Sequence, residues 1–286
     1  MKISFVKMQG AGNDFILIDE YNGIVVPDPE KTSLVSKISD RRFGVGSDGV
    51  VFIQKTDKAD ARFVFYNPDG SRAELCGNGI RCFAKYVYES GLVRKNPIVA
   101  ETGVGLLELE LSLSGERVSQ VKVDMGVPRL ERIDIPVSGE PEARFIDEEV
   151  EIEGVSYQIT AVGMGNPHAV LFCDDVDDVD LPRAGEEIRN HSLIFPEGVN
   201  VHFVEDVGVN EFRIRTYERG VEGETLACGT GICASAMAAV VNNKADRNKK
   251  IIFHARGGDL IVEFIGEHIY LKGPALEVFR GEFPVY

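Results

Sequence analysis

The feature that most constrains this chain of 286 residues is an internal repeat. ELCGNGIRC at Glu74–Cys82 matches LACGTGICA at Leu226–Ala234, about 150 residues further on. GAGNDFILI at Gly10–Ile18 matches GMGNPHAVL at Gly163–Leu171 at nearly the same offset. Matched motifs in the same order at one offset indicate that the chain contains two copies of one fold.

Two further pairs of segments extend the repeat. ARFVFYNPDG at Ala61–Gly70 corresponds to NEFRIRTYERG at Asn210–Gly220, and both read as an alternating strand that runs into a turn. ETGVGLLELEL at Glu101–Leu111 corresponds to HARGGDLIVEF at His254–Phe264. The repeat therefore covers most of each half, and the two halves are expected to be pseudo-symmetric domains.

Most of the periodic segments alternate between polar and apolar residues, which is typical of strands. Strands are predicted at Lys2–Met8, Phe15–Ile18, Val50–Ile53, Arg62–Tyr66, Leu106–Leu113, Gln120–Asp124, Tyr157–Val162, Ala169–Cys173, Glu211–Thr216, Lys250–His254, Leu260–Phe264 and His268–Leu271. Helical spacing is found only at Pro29–Asp40, Gly79–Ser90 and Gly231–Asn242. The pattern predicts a strand-rich α+β fold with about one central helix in each domain. We expect one domain at residues 1–124, joined by a returning segment at 275–286, and a second at 125–274.

Composition and charge exclude several classes of protein. The net charge of −15 disfavours nucleic acid and anionic membranes as partners, because phosphate groups require a basic surface. No apolar run reaches the roughly 18 residues of a membrane span, and the start of the chain shows no signal-peptide pattern. A cytoplasmic protein is expected. An odd count of five cysteines and five scattered histidines favour neither a disulfide framework nor a metal site.

Each repeat places a cysteine directly before a Gly-x-Gly and a predicted helix, at Cys76 and at Cys228. The first turn of a helix has N–H groups without intrahelical partners and a partial positive charge. Both effects stabilise a thiolate, and the same amides can bind a carboxylate. Two such sites facing each other could remove a proton from one face of a carbon beside a carboxylate and return a proton to the opposite face. The repeat therefore points to an epimerase or racemase that uses two thiols as bases.

The sequence resembles the diaminopimelate epimerase family over essentially its whole length. The resemblance is carried by GAGNDF, RRFGVGSDG, NPDGS, ELCGNGIRC, GNPH, GVNVHF, YERGVEGETLACGTG and GPA. It implies two homologous domains, each a curled, mostly antiparallel sheet around a central helix, with the active site in the inter-domain cleft. It also implies a small-molecule substrate, diaminopimelate, and chemistry without metal, pyridoxal phosphate or any other cofactor. A homodimer is left open as the oligomeric state.

The resemblance also implies roles for individual residues. Cys76 and Cys228 match the catalytic acid/base pair. The positions that match substrate-binding residues are Asn13, Asn67, Gly77, Asn78, Asn166, Asn200, Glu218, Arg219, Gly229 and Thr230. Arg219 would pair with the distal carboxylate of the substrate, and His168 and Glu218 match residues that help to set thiol protonation. Gly49 stands where some family members have a glutamine.

Other interpretations of the motifs were weighed. A proline or hydroxyproline racemase with two cysteines would share the mechanism, although a different residue set is expected around each cysteine. A thiol–disulfide redox protein lacks support because no C-x-x-C occurs. A binding module without catalysis is the third alternative. Gly44, Gly46 and Gly49 form a G-x-G-x-x-G, but the strand pattern VVFIQ follows it where a dinucleotide site requires a helix.

Overall fold

A computed structural model describes residues 2–285 and divides them into two compact units. The first unit contains the described residues up to Asp124 together with those from Gly273 onward, and the second is Met125–Lys272. Within residues 2–285, no helix has both the length and the apolar character that crossing a membrane requires.

The first unit begins with eight strands and two helices. The strands are β1 (Lys2–Gly10), β2 (Asn13–Glu20), β3 (Gly49–Gln54), β4 (Ala61–Tyr66), β5 (Arg72–Ala73), β6 (Ile98–Thr102), β7 (Gly105–Ser114) and β8 (Arg117–Asp124). The helices are α1 (Asp28–Ile38), between β2 and β3, and α2 (Gly77–Glu89), between β5 and β6. Most neighbouring strands are antiparallel, and the exceptions are the parallel pairs β2–β3 and β4–β6. Parallel neighbours need a crossover connection, and these two crossovers carry the helices.

The second unit repeats this order. Its strands are β9 (Glu148–Ile152), β10 (Val155–Gly163), β11 (Pro167–Cys173), β12 (Asn200–Gly208), β13 (Glu211–Glu218), β14 (Gly223–Thr225), β15 (Ile251–Ala255), β16 (Gly258–Ile265) and β17 (His268–Gly273). Its helices are α3 (Leu181–Arg189) and α4 (Gly229–Val241), and a 3₁₀ turn lies at Arg132–Asp134. The parallel pairs are β11–β12 and β13–β15, which match β2–β3 and β4–β6. The prediction of a sheet-dominated α+β fold made of two repeated domains is confirmed.

A ninth strand completes the equivalence of the two units. In the second unit β9 pairs antiparallel with β10, and in the first unit the C-terminal strand β18 (Leu276–Pro284) pairs antiparallel with β1. The end of the chain therefore returns to the sheet in which the chain begins.

Each sheet is covered by helices on both faces. Successive side chains of a strand point to opposite sides, so alternate residues of one strand contact different helices. In the second unit Ala169, Leu171, Val201 and Phe203 face a core that includes α3, and the alternate positions of the same strands face α4. In the first unit α1 joins an equivalent core. Phe83 of α2 packs edge-on against Phe63 of β4, with 5.5 Å between the ring centroids. The helices α2 and α4 are buried over most of their surface, so they are the central helices of the two units.

The sequence patterns predicted three helices, and the structure contains a fourth, α3, among the described residues. Its buried residues Leu181, Ala184, Gly185 and Ile188 follow helical spacing, and Pro182 lies in the first turn. The helix has only nine residues, and four of them are charged, so its apolar signal is short.

A charged pair is fully buried beside α1 in the first unit. Lys31 Nζ lies 2.8 Å from a carboxylate oxygen of Glu20, and neither side chain is exposed. Glu20 also accepts hydrogen bonds from the backbone N–H groups of Val25 and Val26. The carboxylate therefore anchors the segment that leads into α1.

Candidate active site

Cys76 occupies the N-cap position of α2. Its backbone is extended, with φ −138° and ψ 115°, and its carbonyl accepts the first helical hydrogen bond, from Ile80 N–H at 2.8 Å. A Cβ atom built on Gly79 would lie 3.6 Å from Cys76 Sγ, so the thiol lies over the first turn of the helix. The first turn contains no acidic residue that would repel an anion or compete with it for the backbone amides. Gly77 and Asn78 supply the backbone of this turn.

Asn13 and Asn78 lie side by side near this helix end. Asn78 Nδ2 donates to Asn13 Oδ1 at 3.2 Å, and Asn13 Nδ2 donates to Asp48 Oδ2 at 2.5 Å. Asp48 also accepts the backbone N–H of Asp14 at 3.1 Å. A carboxylate accepts but does not donate, so Asp48 determines which end of the Asn13 carboxamide faces it.

A cluster of charges surrounds Asp48 in the first unit. Arg41 donates to Asp14 at 2.7 Å and to Asp48 at 2.5 Å, and Lys7 Nζ lies 2.6 Å from Asp14. Burial would raise the pKa of Asp14, but the hydrogen bonds from Arg41 and Lys7 outweigh it and lower the pKa to about 2. Asp14 is therefore ionised at neutral pH, and the ion pairs of the cluster hold the start of β2 against the loop that precedes β3.

Asn67 lies in the turn after β4. Its side chain donates to Ser71 Oγ at 3.0 Å, and its backbone N–H donates to the Ser71 carbonyl at 2.8 Å. The half-buried carboxamide is thus oriented by its own turn. Gly49, the last residue of the RRFGVGSDG motif, is buried, and a Cβ atom there would overlap the ring of Phe65. This position has no room for a side chain.

Cys228 occupies the same position at the start of α4 in the second unit. Its backbone is extended, with φ −115° and ψ 110°, and its carbonyl accepts the N–H of Ile232 at 2.9 Å. Its thiol lies 3.5 Å from Thr230 Oγ1, again over a first turn without acidic residues. Gly229 begins this turn. Both repeats thus build the same element, a cysteine at the N-cap whose sulfur lies beside the first turn of the helix.

The second glycine of the motif, Gly231 in one repeat and Gly79 in the other, has different steric surroundings in the two units. A Cβ atom on Gly231 would lie 2.7 Å from His202 Nε2 and 2.9 Å from His202 Nδ1, which is too close for any real contact. A Cβ atom on Gly79 would meet its nearest neighbours at 3.5 Å, an ordinary contact distance. In the second unit the imidazole of His202 therefore lies directly against the helix backbone, where only glycine fits.

His168 and His202 are completely buried and bonded to each other. His168 Nδ1 lies 2.8 Å from His202 Nε2, and His168 Nε2 lies 2.8 Å from Asn166 Oδ1. His202 Nδ1 lies 2.9 Å from Thr216 Oγ1. Burial, followed by the charges of His202 and Arg219, lowers the pKa of His168 well below its usual value, and burial lowers the pKa of His202 to about 3. Both rings are neutral at physiological pH, so His168 brings no charge to a thiol.

Asn200 and Arg219 meet at the start of β12. The Asn200 side chain is buried, donates to the Pro167 carbonyl at 2.9 Å and accepts the backbone N–H of Arg219 at 2.9 Å. The Arg219 guanidinium donates to the Glu197 carbonyl at 2.9 Å. Glu218, which ends β13, pairs in register with Gly223 of β14. Asn200 therefore holds the backbone that presents Arg219, whose remaining donors can bind an anion.

The other cysteines differ from Cys76 and Cys228. Cys82 and Cys233 are fully buried within α2 and α4, as expected of packing residues. Burial raises the pKa of Cys82 to about 12 and that of Cys173 to about 11, the latter with a contribution from Glu205. Neither of these two thiols is ionised at neutral pH.

Asp48 and His202 were not singled out from the sequence. Both occur in the motifs that carry the family resemblance, Asp48 in RRFGVGSDG and His202 in GVNVHF. His202 stands two residues after Asn200, so a strand places both side chains on one face. The parallel register that sets Asn200 beside His168 is visible only in the sheet.

Comparison with known proteins identifies relatives over the whole chain. The family model described as diaminopimelate epimerase matches residues 5–131 and 160–278. The diaminopimelate epimerase of Pelotomaculum thermopropionicum is 47% identical over 281 residues, which cover 98% of each chain. The diaminopimelate epimerase of Desulfitobacterium hafniense is 45% identical over 283 residues, which cover 98% of this chain and 97% of that protein.

Solved structures of the same fold are more distant in sequence. A phenazine biosynthesis protein of Bacillus anthracis superposes with a TM-score of 0.73 at 19% identity and covers 100% of both chains. A hydroxyproline epimerase of Agrobacterium vitis superposes with a TM-score of 0.70 at 16% identity, covering 99% of this chain and 91% of that one. At these identities the likeness shows a shared fold.

Proposed function

Because the chain belongs to the diaminopimelate epimerase family, we propose that it interconverts LL- and meso-diaminopimelate with Cys76 and Cys228 as the two bases. The observation that carries the proposal is that both repeats place a cysteine sulfur over the first turn of a central helix. A reaction whose two directions are mirror-related at one carbon needs two such groups, one for each face of that carbon.

The proposed chemistry balances without an external reagent. One cysteine acts as a thiolate and removes the α-proton, so the α C–H bond breaks and its electron pair stays on the substrate. The other cysteine, as a thiol, delivers a proton to the opposite face and forms the new C–H bond. The thiolate and thiol have then exchanged identities, and the enzyme is ready for the reverse direction. No metal or organic cofactor takes part in this scheme.

The helix starts supply the electrostatic contribution. We propose that the α-carboxylate of the substrate binds the backbone amides around Gly77, Asn78, Gly229 and Thr230. Charge that builds on this carboxylate as the proton leaves would be stabilised by these prearranged amides, as in an oxyanion hole. The absence of acidic side chains from both first turns supports this role, because nothing in either turn repels the carboxylate.

The rest of the substrate would be held by the polar residues around each cysteine. Arg219 is the proposed partner of the distal carboxylate, since the guanidinium is held by the Glu197 carbonyl and retains further donors. The residues proposed for the remaining polar groups of the substrate are Asn13, Asn67, Asn166, Asn200 and Glu218. The carboxamides of Asn13 and Asn200 are each held at both ends by hydrogen bonds to the protein, which fixes their orientation. The cytoplasmic location stays a prediction from the sequence.

The experiment that tests the proposal is proton NMR of the reduced protein with LL-diaminopimelate in D₂O, without added cofactor. Loss of the α-proton signal together with appearance of the meso isomer is expected. Cys76→Ala and Cys228→Ala should each abolish epimerisation, whereas Cys173→Ala should not. Cys173 is the matched control, because its thiol is half-buried like that of Cys76 but lies at the end of strand β11 and not at a helix start.

Three outcomes would contradict the proposal. Full epimerisation by either catalytic variant would exclude the two-thiol mechanism. Exchange with proline or hydroxyproline but not with diaminopimelate would favour the racemase alternative. No exchange with any of these substrates, while the thiols are shown to be reduced, would favour a binding module.

A further inference from the structure

Four polar side chains form an unbroken hydrogen-bonded row through the interior of the second unit. The row runs from Thr216 through His202 and His168 to Asn166, with consecutive polar atoms 2.9, 2.8 and 2.8 Å apart. Thr216 is buried, and the two histidines are completely buried. Water therefore cannot replace a missing partner at the centre of the row without rearrangement of the packing.

The chemistry of the groups gives the row one direction. Asn166 presents its carbonyl oxygen to His168 Nε2, and a carbonyl only accepts, so His168 carries its proton on Nε2. The neutral His168 ring then has an acceptor at Nδ1, and His202 must donate from Nε2. His202 Nδ1 is left as an acceptor for the hydroxyl of Thr216. Each group thus determines the protonated atom of the next one.

The surroundings keep the central ring in place. His202 lies on β12 between β11 and β13, paired in register with Val170 on one side and Thr216 on the other. Its ring is pressed against the backbone of α4 at Gly231. The imidazole therefore cannot turn over without moving the helix that begins at Cys228.

The equivalent asparagine of the first unit is held by different partners. Asn13 matches Asn166 in the repeat; its amide nitrogen donates to the carboxylate of Asp48 and its oxygen accepts from Asn78. In the second unit the carbonyl oxygen of Asn166 faces His168. The two repeats thus orient matched asparagines by different means, a carboxylate in the first unit and an imidazole in the second.

We propose that His202 is a positioning residue that, through His168, holds the Asn166 carboxamide with its amide nitrogen towards the substrate, so that Asn166 binds a carboxylate group as a donor. This inference rests on the proposed function, in which Asn166 contacts substrate. The role of His202 is to exclude the flipped carboxamide, whose oxygen would repel the carboxylate.

Steady-state kinetics with two variants at one position tests the proposal. His202→Phe keeps a flat ring against the helix but cannot donate, and His202→Gln keeps a donor near the position of Nε2. His202→Phe is expected to raise the KM for diaminopimelate about tenfold or more while kcat changes less, since one hydrogen bond to a charged group is lost. His202→Gln should restore KM to within about threefold of the wild type. Equal KM values for His202→Phe and the wild type would overturn the proposal.

The protonation of His168 provides a readout that a merely structural role would not move. In ¹⁵N-labelled wild-type protein, His168 should be the tautomer protonated on Nε2, and in His202→Phe this preference should be lost. Protonation on Nδ1 in the wild type would refute the stated direction of the row. If His202→Phe does not fold, Thr216→Val, which removes only the first donor and nearly preserves shape, should weaken the same tautomer preference. An unchanged preference in Thr216→Val would contradict the proposal.

Failure of this inference can be told apart from failure of the proposed function. If wild-type protein does not exchange the α-proton of diaminopimelate, the proposed function fails, while the His168 tautomer still tests the row. If the wild type is active and His202→Phe has the same KM and tautomer, only the role of His202 fails.

Discussion

Replacing Gly231 by alanine is expected to destabilise the protein, although alanine is the better helix former. The new methyl group would lie within 2.9 Å of both nitrogens of the His202 ring. That ring is buried and bonded on both sides, to His168 and Thr216, so it cannot move away without breaking a hydrogen bond. Overpacking of this kind costs about 1–3 kcal/mol, and the helix propensity of alanine returns up to about 1 kcal/mol.

The repeat supplies a matched control at Gly79, the equivalent glycine of α2. A methyl group there meets Cys76 and Phe15 at 3.5 Å, which is an ordinary contact. Gly79→Ala should therefore be neutral or stabilising by up to about 1 kcal/mol. The free energies of unfolding of the two variants should differ by about 1–3 kcal/mol, or roughly 2–12 °C in Tm.

Urea and thermal unfolding, followed by circular dichroism, measure the difference directly. The double variant Gly231→Ala, His202→Ala separates the ring from the backbone as the cause, because removal of the imidazole should remove the penalty of the methyl group. If Gly231→Ala is as stable as Gly79→Ala, the ring does not lie against the helix as described, and the reasoning is refuted.

Two further predictions concern charges away from the cysteines. Lys31→Met should destabilise the protein by about 3–5 kcal/mol, because it leaves the buried Glu20 carboxylate without its cation. The control Lys2→Met removes an exposed ion pair and should cost less than about 1 kcal/mol. Equal losses of the free energy of unfolding in urea would contradict this prediction. Protonated His254 donates one hydrogen bond to Asp259 and one to Glu211, and these bonds raise its pKa. Its contribution to stability should therefore be present below its unfolded pKa of about 6.5 and be lost as the pH rises through the raised value. A His254→Gln variant with the same pH dependence of unfolding as the wild type would exclude that contribution.

The two helix starts with their cysteines were predictable because the signals are local. A cysteine, a Gly-x-Gly and a helical run lie within nine residues, and the motif occurs twice. The observed helices α2 and α4 begin two residues earlier than the apolar spacing indicated, because both glycines of each motif lie inside the first turn. The longer strands β4 and β13, which precede these helices along the chain, were also identified, since alternation is strong at Arg62–Tyr66 and Glu211–Thr216. The short strands β5 and β14, which lie directly before the helices, were not predicted.

The use of particular polar side chains was not predictable. Asn200 reads as a substrate-binding residue from its motif, and that role stays a prediction, but only the fold shows that its carboxamide also bonds to the protein at both ends. The thiol-tuning role of His168 likewise stays a prediction, and only the fold shows that His168 is a neutral member of a buried row. These outcomes depend on which atoms face each other across neighbouring strands, and a sequence does not specify register.

By itself, the sequence determined the duplication, the α+β class, the family and the position of one cysteine at the start of each central helix, because each of these is written in short motifs or in the period of hydrophobic residues. Only the tertiary structure decided that His202 fills the space above Gly231, that Asp48 orients Asn13 and that His168 faces the oxygen of Asn166. The physical reason is that hydrogen bonds between distant residues depend on strand pairing and burial, which arise only when the whole sheet closes around its helix.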